Sequence, residues 1–219
     1  MIIKLDRIVK EFNLNIRGVI HIGAHYGQEY KDYARQGVEH MIFFEPVRAN
    51  YEILKAYLKE ETDSPNIRAI NLALGSKACT KEMYLETDNK GQSCSLLEPG
   101  THLTLHPHIS FQGKERVQVE RLDNIPFDRG LFNMINIDVQ GYELEVFRGA
   151  AEVLPTIDYI YSEVNKEEVY KNCCQVEELD WFLKGFGFKR VLTEFPMRTP
   201  SKAYPWGDAL YIKTKHGEE

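Results

Sequence analysis

The chain predicts an α/β fold, a doubly wound and mostly parallel sheet in a single domain, and three observations carry that expectation. Short apolar runs alternate with amphipathic stretches along nearly the whole length, as repeated strand–helix units do. The 219 residues fit one α/β domain with a sizeable core, and no repeat, low-complexity tract or linker divides them. The final apolar run, WGDALYIK, is placed to return as a last, antiparallel strand.

Residues 1–13 read as an amphipathic helix with Ile3, Ile8, Val9 and Phe12 on one side. GVIHIG (18–23) is a buried first strand, followed by a turn and a helix over 28–36. HMIFFE (40–45) is the second strand. Pro46 suits the start of the next helix, 47–60, where its missing N–H has no partner to lose. IRAINLALG (67–75) reads as one strand closed by glycine, and KEMYLET (81–87) as a β-excursion. The stretch 88–114, with its glycines and prolines, has no clear period and predicts a long functional loop. Beyond it come a strand at 116–122, a buried strand at 134–139, a helix over 142–154 stopped by Pro155 and a strand at 158–164. A helix over 176–187 and strands at 188–195 and 206–213 complete about seven sheet strands.

Composition narrows the function. Charged residues at 27% and hydrophobic ones at 43% are ordinary globular values. A formal charge of −6 argues against a protein held to nucleic acid through phosphates. The N-terminal stretch lacks the apolar core of a signal peptide, and no run approaches the roughly 20 residues that cross a bilayer. Cys173 and Cys174 are adjacent while Cys79 and Cys94 stand alone, which is no disulfide framework. The expected location is the cytoplasm.

Four constellations carry chemistry. The turn His21-Ile22-Gly23-Ala24-His25-Tyr26-Gly27 lies between a strand and a helix, where small residues let backbone approach a ligand. Glu45 ends the next strand 22 residues after Gly23, the place from which a carboxylate accepts ribose hydroxyls. The pattern is not G-x-G-x-x-G: it lacks the middle glycine that admits a pyrophosphate. A ligand with ribose and no pyrophosphate fits better, and S-adenosylmethionine is one. Asp138 ends a strand at the carboxyl edge of the sheet, able to hold an ammonium group, orient a hydroxyl, act as base or merely cap the next helix. Glu163 ends the neighbouring strand, so the two carboxylates are expected to face one cleft as a pair with one raised pKa. His102, His106 and His108 sit in the irregular stretch without a partnering cysteine or carboxylate cluster, which points to substrate contact or solvent and not to a metal.

At this point the chain resembles the FkbM family of methyltransferases, through VIHIGAHYGQE, FFEP, NLALG, VERLDNI, INIDVQGYELEVFRGA, IYSEVN and WGDALYIK, in the family's order from about residue 17 to 213. The resemblance implies a Rossmann-like, seven-stranded class I methyltransferase fold and O-methylation of sugar, glycan or natural-product hydroxyls with S-adenosyl-L-methionine. It implies that Gly23, Ala24 and Gly27, with His21 beside them, line the methionine part of the cofactor. Glu45, with Pro46 next to it, would hold the ribose, and Ala73 and Leu74 would flank the adenine. Ser93 and Ser95 would close over the cofactor, and Asp138 would sit at the junction with substrate. His21 stands where an acidic residue is common, His25 where Asn is frequent, and Asn136 where a Lys commonly precedes Ile-Asp. The expected mechanism is in-line displacement, with Asp138 or Glu163 taking or orienting the hydroxyl proton. The competing readings are an NAD(P)-dependent oxidoreductase on a similar sheet and a non-catalytic binding module, the latter resting on His21 and Asn136. A nucleic-acid methyltransferase is disfavoured by the negative charge.

Overall fold

The structure is a computed structural model that describes residues 2–214. It begins with α1 (Leu5–Phe12), whose apolar side buries Ile8 and lies beside the equally buried Ile3. Next come β1 (Gly18–Ile22), α2 (Tyr30–Arg35), β2 (His40–Phe44), α3 (Arg48–Glu61) and β3 (Ile67–Ile70). The three strands pair in parallel, β2 standing between β1 and β3. The chain then crosses to the other side of β1 for β7 (Met134–Ile137), which pairs with β1 and with β8 (Tyr159–Asn165). After β8 come α6 (Val176–Lys184), β9 (Phe188–Glu194) and a short ribbon, and β12 (Trp206–Lys213) then enters antiparallel between β8 and β9. The sheet order is β3-β2-β1-β7-β8-β12-β9. This is the expected doubly wound sheet with one antiparallel strand, and its order reverses between β1 and β7, where such folds open a crevice.

Side chains along the central strands explain why the sheet is covered twice. Ile20 and Ile22, Ile42 and Phe44, and Ile135 and Ile137 point to one face, packing with Val146 and Phe147 of α5 (Glu143–Arg148) and Leu179 and Leu183 of α6. Val19, Met41, Phe43 and Met134 point to the other, against Ile8, Tyr33 and Leu54 of the first three helices. Period two within each strand and apolar character on both faces produce the two layers.

The sequence reading needs correction between β3 and β7. The run 67–75 is not one strand. It leaves the main sheet at Asn71, whose side-chain amide donates to the carbonyls of Glu45 and Pro46 at 2.9 Å each. The next two residues form β4 (Ala73–Leu74) in a separate three-stranded sheet with β5 (Cys79–Glu86) and β6 (Phe111–Glu120). The strand expected at 116–122 is therefore the second half of β6 and lies outside the main sheet. Nor is 88–114 a structureless loop, because it holds α4 (His102–Leu105) and the first half of β6. Alternation in β6 is interrupted by GKE at an exposed edge, which hides the strand from a pattern reading. The helix expected over 142–154 ends at Arg148, and Pro155 sits inside a 3-10 turn, Leu154–Thr156. A two-stranded ribbon, β10 (Met197–Thr199) and β11 (Lys202–Ala203), precedes β12.

Candidate active site

A crevice of about 520 Å³ opens at the carboxyl ends of β1, β2, β7 and β8. Its floor is backbone. Gly23 has φ +81°, and a Cβ there would stand 1.8 Å from the Asp138 carbonyl oxygen, so only glycine lets the turns after β1 and β7 lie this close. The N–H groups of Gly23 and Ala24 both reach the Phe44 carbonyl, at 3.0 and 2.9 Å, and the Asp138 N–H reaches Ile22 at 3.0 Å. These bonds tie three strand ends into one rigid rim.

Glu45 lies on that rim, almost wholly buried. Its Oε2 accepts from the His25 N–H at 2.8 Å and its Oε1 from the Val47 N–H at 2.9 Å. Burial pushes its pKa up to about 7, against the pull of those two N–H groups and of the Asn50 side chain. With three donors on its two oxygens, the carboxylate retains one acceptor site for a ligand hydroxyl. Val47, Leu72, Ala73, Leu74, Met83 and Leu96 form an apolar slot alongside it.

Across the crevice Asp138 and Glu163 are brought together as the sequence reading expected. The Gln140 side-chain amide joins them, its Nε2 donating to Asp138 Oδ1 at 2.8 Å and to Glu163 Oε2 at 3.1 Å. Gln140 is itself fixed. Its Oε1 accepts from the Tyr170 hydroxyl at 2.7 Å, its carbonyl accepts from Ser95 Oγ at 2.8 Å, and its backbone is left-handed at φ +54°. Asp138 is open to the crevice, and desolvation by the surrounding walls raises its pKa to about 6, with Asp208 adding to the effect and the Gln140 amide opposing it. Glu163 is raised well above the ordinary carboxylate range by burial and then by Asp138, Glu143 and Asp208. Of the two, Glu163 therefore holds a proton more tightly than Asp138.

Asp138 does not cap α5, whose N-cap residue Tyr142 makes no side-chain hydrogen bond. Glu143 fixes the turn that precedes the helix, its Oε1 accepting from the N–H groups of Val139 and Gly141 at 3.2 and 3.1 Å. Gly141, at φ +96°, lies where a Cβ would come within 2.6 Å of Cys173. Asp208, which sequence reasoning did not single out, stands opposite Glu163 in the β8–β12 ladder. It accepts from the Tyr161 hydroxyl and, at 2.5 Å, from the Ile2 N–H.

His21 and Asn136, the two unusual positions, turn out to be a single feature. They are register partners in β1 and β7. Tyr33 of α2 joins them: Asn136 Nδ2 donates to its hydroxyl at 2.5 Å, and that hydroxyl lies 3.2 Å from His21 Nδ1. Burial lowers the His21 pKa to about 4, so the ring is neutral. A buried, uncharged, hydrogen-bonded set thus occupies a place where the family resemblance implied an acid and a lysine.

Of the other predicted positions, His21, Gly23, Ala24, Glu45, Pro46, Ala73, Leu74, Ser93, Asp138 and Glu163 line the crevice. Gly27 does not. Its α-carbon faces Leu54 of α3, which a Cβ would approach to 2.6 Å, so it serves the turn and not the cavity wall. Ser95 is fully buried behind the wall. Residues 87–93 are held over the opening by Glu86, whose carboxylate accepts from the N–H groups of Asn89 and Ser93 at 2.7 and 3.1 Å, and by His25, whose Nε2 lies 2.7 Å from the Lys90 carbonyl. Nothing local in the sequence marks Glu86, Gln140, Tyr170, Asn165 or Asp208; only their placement on strand ends and turns around one crevice does. Among the described residues, no three His, Cys, Asp or Glu side chains are grouped as a metal site requires, and no helix is long and apolar enough to cross a membrane.

Five carboxylates line the crevice, Glu29, Glu45, Asp138, Glu163 and Asp208, and the described lining contains no lysine or arginine. This sheet, with a carboxylate at the end of its second strand and the crevice at its switch point, defines a class I methyltransferase fold. Residues 21–190 match the model of the methyltransferase FkbM domain. The chain belongs to the FkbM methyltransferase family.

A curated relative, 2-O-methyltransferase NoeI of Sinorhizobium fredii, is 30% identical over 125 residues, covering 56% of this chain and 48% of the relative. The chain thus spans about half the length of that relative. Among solved structures, the methyltransferase FkbM from Methylobacillus flagellatus superposes with a TM-score of 0.58 at 16% identity, over 89% of this chain and 43% of that one. Magnesium protoporphyrin IX methyltransferase from Synechocystis, solved with bound S-adenosylmethionine, superposes with a TM-score of 0.55 at 9% identity, over 95% and 76% of the respective chains. At these identities the superpositions speak for the fold.

Proposed function

We propose that this chain is an S-adenosyl-L-methionine-dependent O-methyltransferase that modifies a hydroxyl of a sugar, glycan or related natural product in the cytoplasm. The observation that carries the reading is the charge of the crevice: five carboxylates with no lysine or arginine in the described lining, one of them at the end of the second strand. Such a lining favours a ligand that is positive at its reacting end and disfavours the pyrophosphate of a dinucleotide or the backbone of a nucleic acid. The 2-O-methyltransferase activity named for the Sinorhizobium relative supports oxygen as the accepting atom, and the four free cysteines suit a reducing compartment.

The residues present fit that cofactor. Glu45 would accept a ribose hydroxyl at its remaining acceptor site, the apolar slot of Ala73, Leu74 and Met83 would take the adenine, and the glycine rim would admit the methionine part. S-adenosylmethionine supplies, when bound, a methyl group already activated by positive sulfur. The chain contributes position and a proton acceptor. Gln140 holds Asp138 and Glu163 at one spot, and Glu163 holds a proton more tightly than Asp138, so Asp138 receives or orients the proton of an incoming hydroxyl. The uncharged His21–Tyr33–Asn136 set adds no competing charge beneath the pair.

Calorimetric titration with S-adenosylhomocysteine tests this directly, with NADH as control ligand. Micromolar binding is expected, weakened about tenfold or more in Glu45→Ala, a loss of about 1.4 kcal/mol or greater. Binding of NADH in place of the homocysteine compound would overturn the reading.

A further inference from the structure

We infer that the end of the crevice beyond Asp138 is a subsite for one uncharged, polyhydroxylated ring, bound by Asn165 and His102 and stacked against Trp206. The inference rests on the methyltransferase reading for the order in which cofactor and acceptor lie, and it adds the acceptor's charge and the residues that select it.

Buried polar atoms in native proteins are nearly always paired. Among the described residues two buried side-chain nitrogens have no partner, Asn165 Nδ2 and His102 Nδ1. They belong to elements far apart in sequence, β8 and α4, yet both residues line this one crevice. The two residues are 2% and 4% exposed, so bulk water does not satisfy them. Two unmet groups on residues that line one cavity point to a ligand with oxygens to offer, reached by a small turn of each side chain.

The ladder between β8 and β12 gives the subsite its dimensions. Trp206 is paired with Asn165 and Asp208 with Glu163, so the four side chains form a square on one face of the two strands. Glu163 and Asn165 are two residues apart, about 6.8 Å along a strand, which is the scale of a single sugar ring. A hydroxyl directed at Asp138 and Glu163 leaves a neighbouring ring oxygen near the Asn165 amide, which donates. Burial pushes the His102 ring down to about 4, so it is neutral and offers one donor and one acceptor, as a hydroxyl requires. Trp206, 6.4 Å from the His106 ring and 5.5 Å from Tyr204, supplies a flat apolar wall for the C–H face of a ring. With Asp138, Glu163 and Asp208 at this end, no lysine or arginine in the described lining, and His102 neutral, a phosphate or carboxylate on that ring finds no permanent cation to pair with. A sugar phosphate, a nucleotide sugar with its phosphates in the crevice, and a uronate are all disfavoured.

Trp206 is also the reporter. The other tryptophan, Trp181, is 80% exposed on α6, so Trp181→Phe leaves Trp206 as the sole emitter. In that background, saturated with S-adenosylhomocysteine, a panel of methyl pyranosides is titrated against glucose 1-phosphate and glucuronate. Saturable change of Trp206 emission by a methyl pyranoside is expected, with the two anions at least tenfold weaker. Asn165→Leu and His102→Phe should each weaken the pyranoside tenfold or more and leave S-adenosylhomocysteine affinity within twofold. An anion that binds as well as the neutral sugar overturns the proposal. So do both variants retaining pyranoside affinity, or no pyranoside perturbing Trp206 in protein that binds S-adenosylhomocysteine. If a variant loses S-adenosylhomocysteine as well, the neutral-against-anion comparison in the Trp181→Phe background decides. If S-adenosylhomocysteine never binds, the cofactor reading fails, and titration of the ligand-free protein still decides the subsite.

Discussion

The two ends of the crevice are built by different means. The end against β1 and β2 is backbone: glycine at φ +81°, carbonyls shared between strand ends, and a carboxylate already holding two N–H groups. The end against β8, β12 and α4 is side chain: a glutamine between two carboxylates, an amide and an imidazole without partners, and aromatic rings. A rim made of backbone bonds tolerates little change, because moving one strand end moves the others. A wall made of side chains varies one residue at a time. The comparison teaches that the cofactor end is a property of the fold, while acceptor choice is a property of individual residues.

The sharpest way to break this division is at the junction. Asp138→Asn keeps an oxygen for Gln140 but removes the proton acceptor, so methyl transfer should fall about 10³-fold while S-adenosylhomocysteine titration changes little. Unchanged turnover to an accepted sugar would end the role assigned to Asp138. Next in size, Gly23→Ala forces a left-handed alanine against the Asp138 carbonyl and should cost about 3 kcal/mol in urea unfolding. A loss under about 1 kcal/mol would show that the rim yields more than its bonds suggest.

The acid cluster predicts a pH effect of definite sign. Glu45 and Asp138 have folded pKa values of about 7 and about 6, above the ordinary value near 4. At these two groups the native state therefore binds more protons than the unfolded state between about pH 4 and 7. The contribution of these carboxylates is fullest below that window and declines as pH rises through 6 and 7, against an opposite contribution below about 6.5 from His21 and His102, which are held neutral. It is measured as a falling melting temperature relative to Glu45→Gln. A rise relative to that variant over the same range would contradict the raised pKa values of these carboxylates. The smallest effect is local. Glu86→Gln replaces an acceptor facing two N–H groups, and should loosen residues 87–93 by about 1.5 kcal/mol, read as faster amide exchange there with β1 and β7 unchanged.

Much of the fold was legible from local pattern, and the errors are informative. Runs such as GVIHI and MINI are apolar on both faces because helices cover both faces, and they were placed to within a residue or two. The 67–75 run misled because IRAI and AL share a character but join different sheets, and a side-chain amide, Asn71, makes the break. Gly27 was assigned to the ligand because glycines after a strand look alike in sequence, whereas its contact with Leu54 of α3 is tertiary. His21 and Asn136 looked like two separate departures that kept a non-catalytic reading alive. In the structure they are neighbours compensated by Tyr33, a relation spanning 115 residues.

By itself the sequence determined which segments are strands and helices, that the sheet is doubly wound, and that Glu45, Asp138 and Glu163 end strands at one edge. Hydrophobic period and strand length suffice for that, because they act between near neighbours. Tertiary structure alone decided that Gln140 bridges two carboxylates, that Asp208 faces Glu163, and that Asn165 and His102, each with an unmet buried nitrogen, line the same crevice. Those contacts depend on sheet order and register, which bring together residues separated by tens of positions. No periodicity along the chain encodes them.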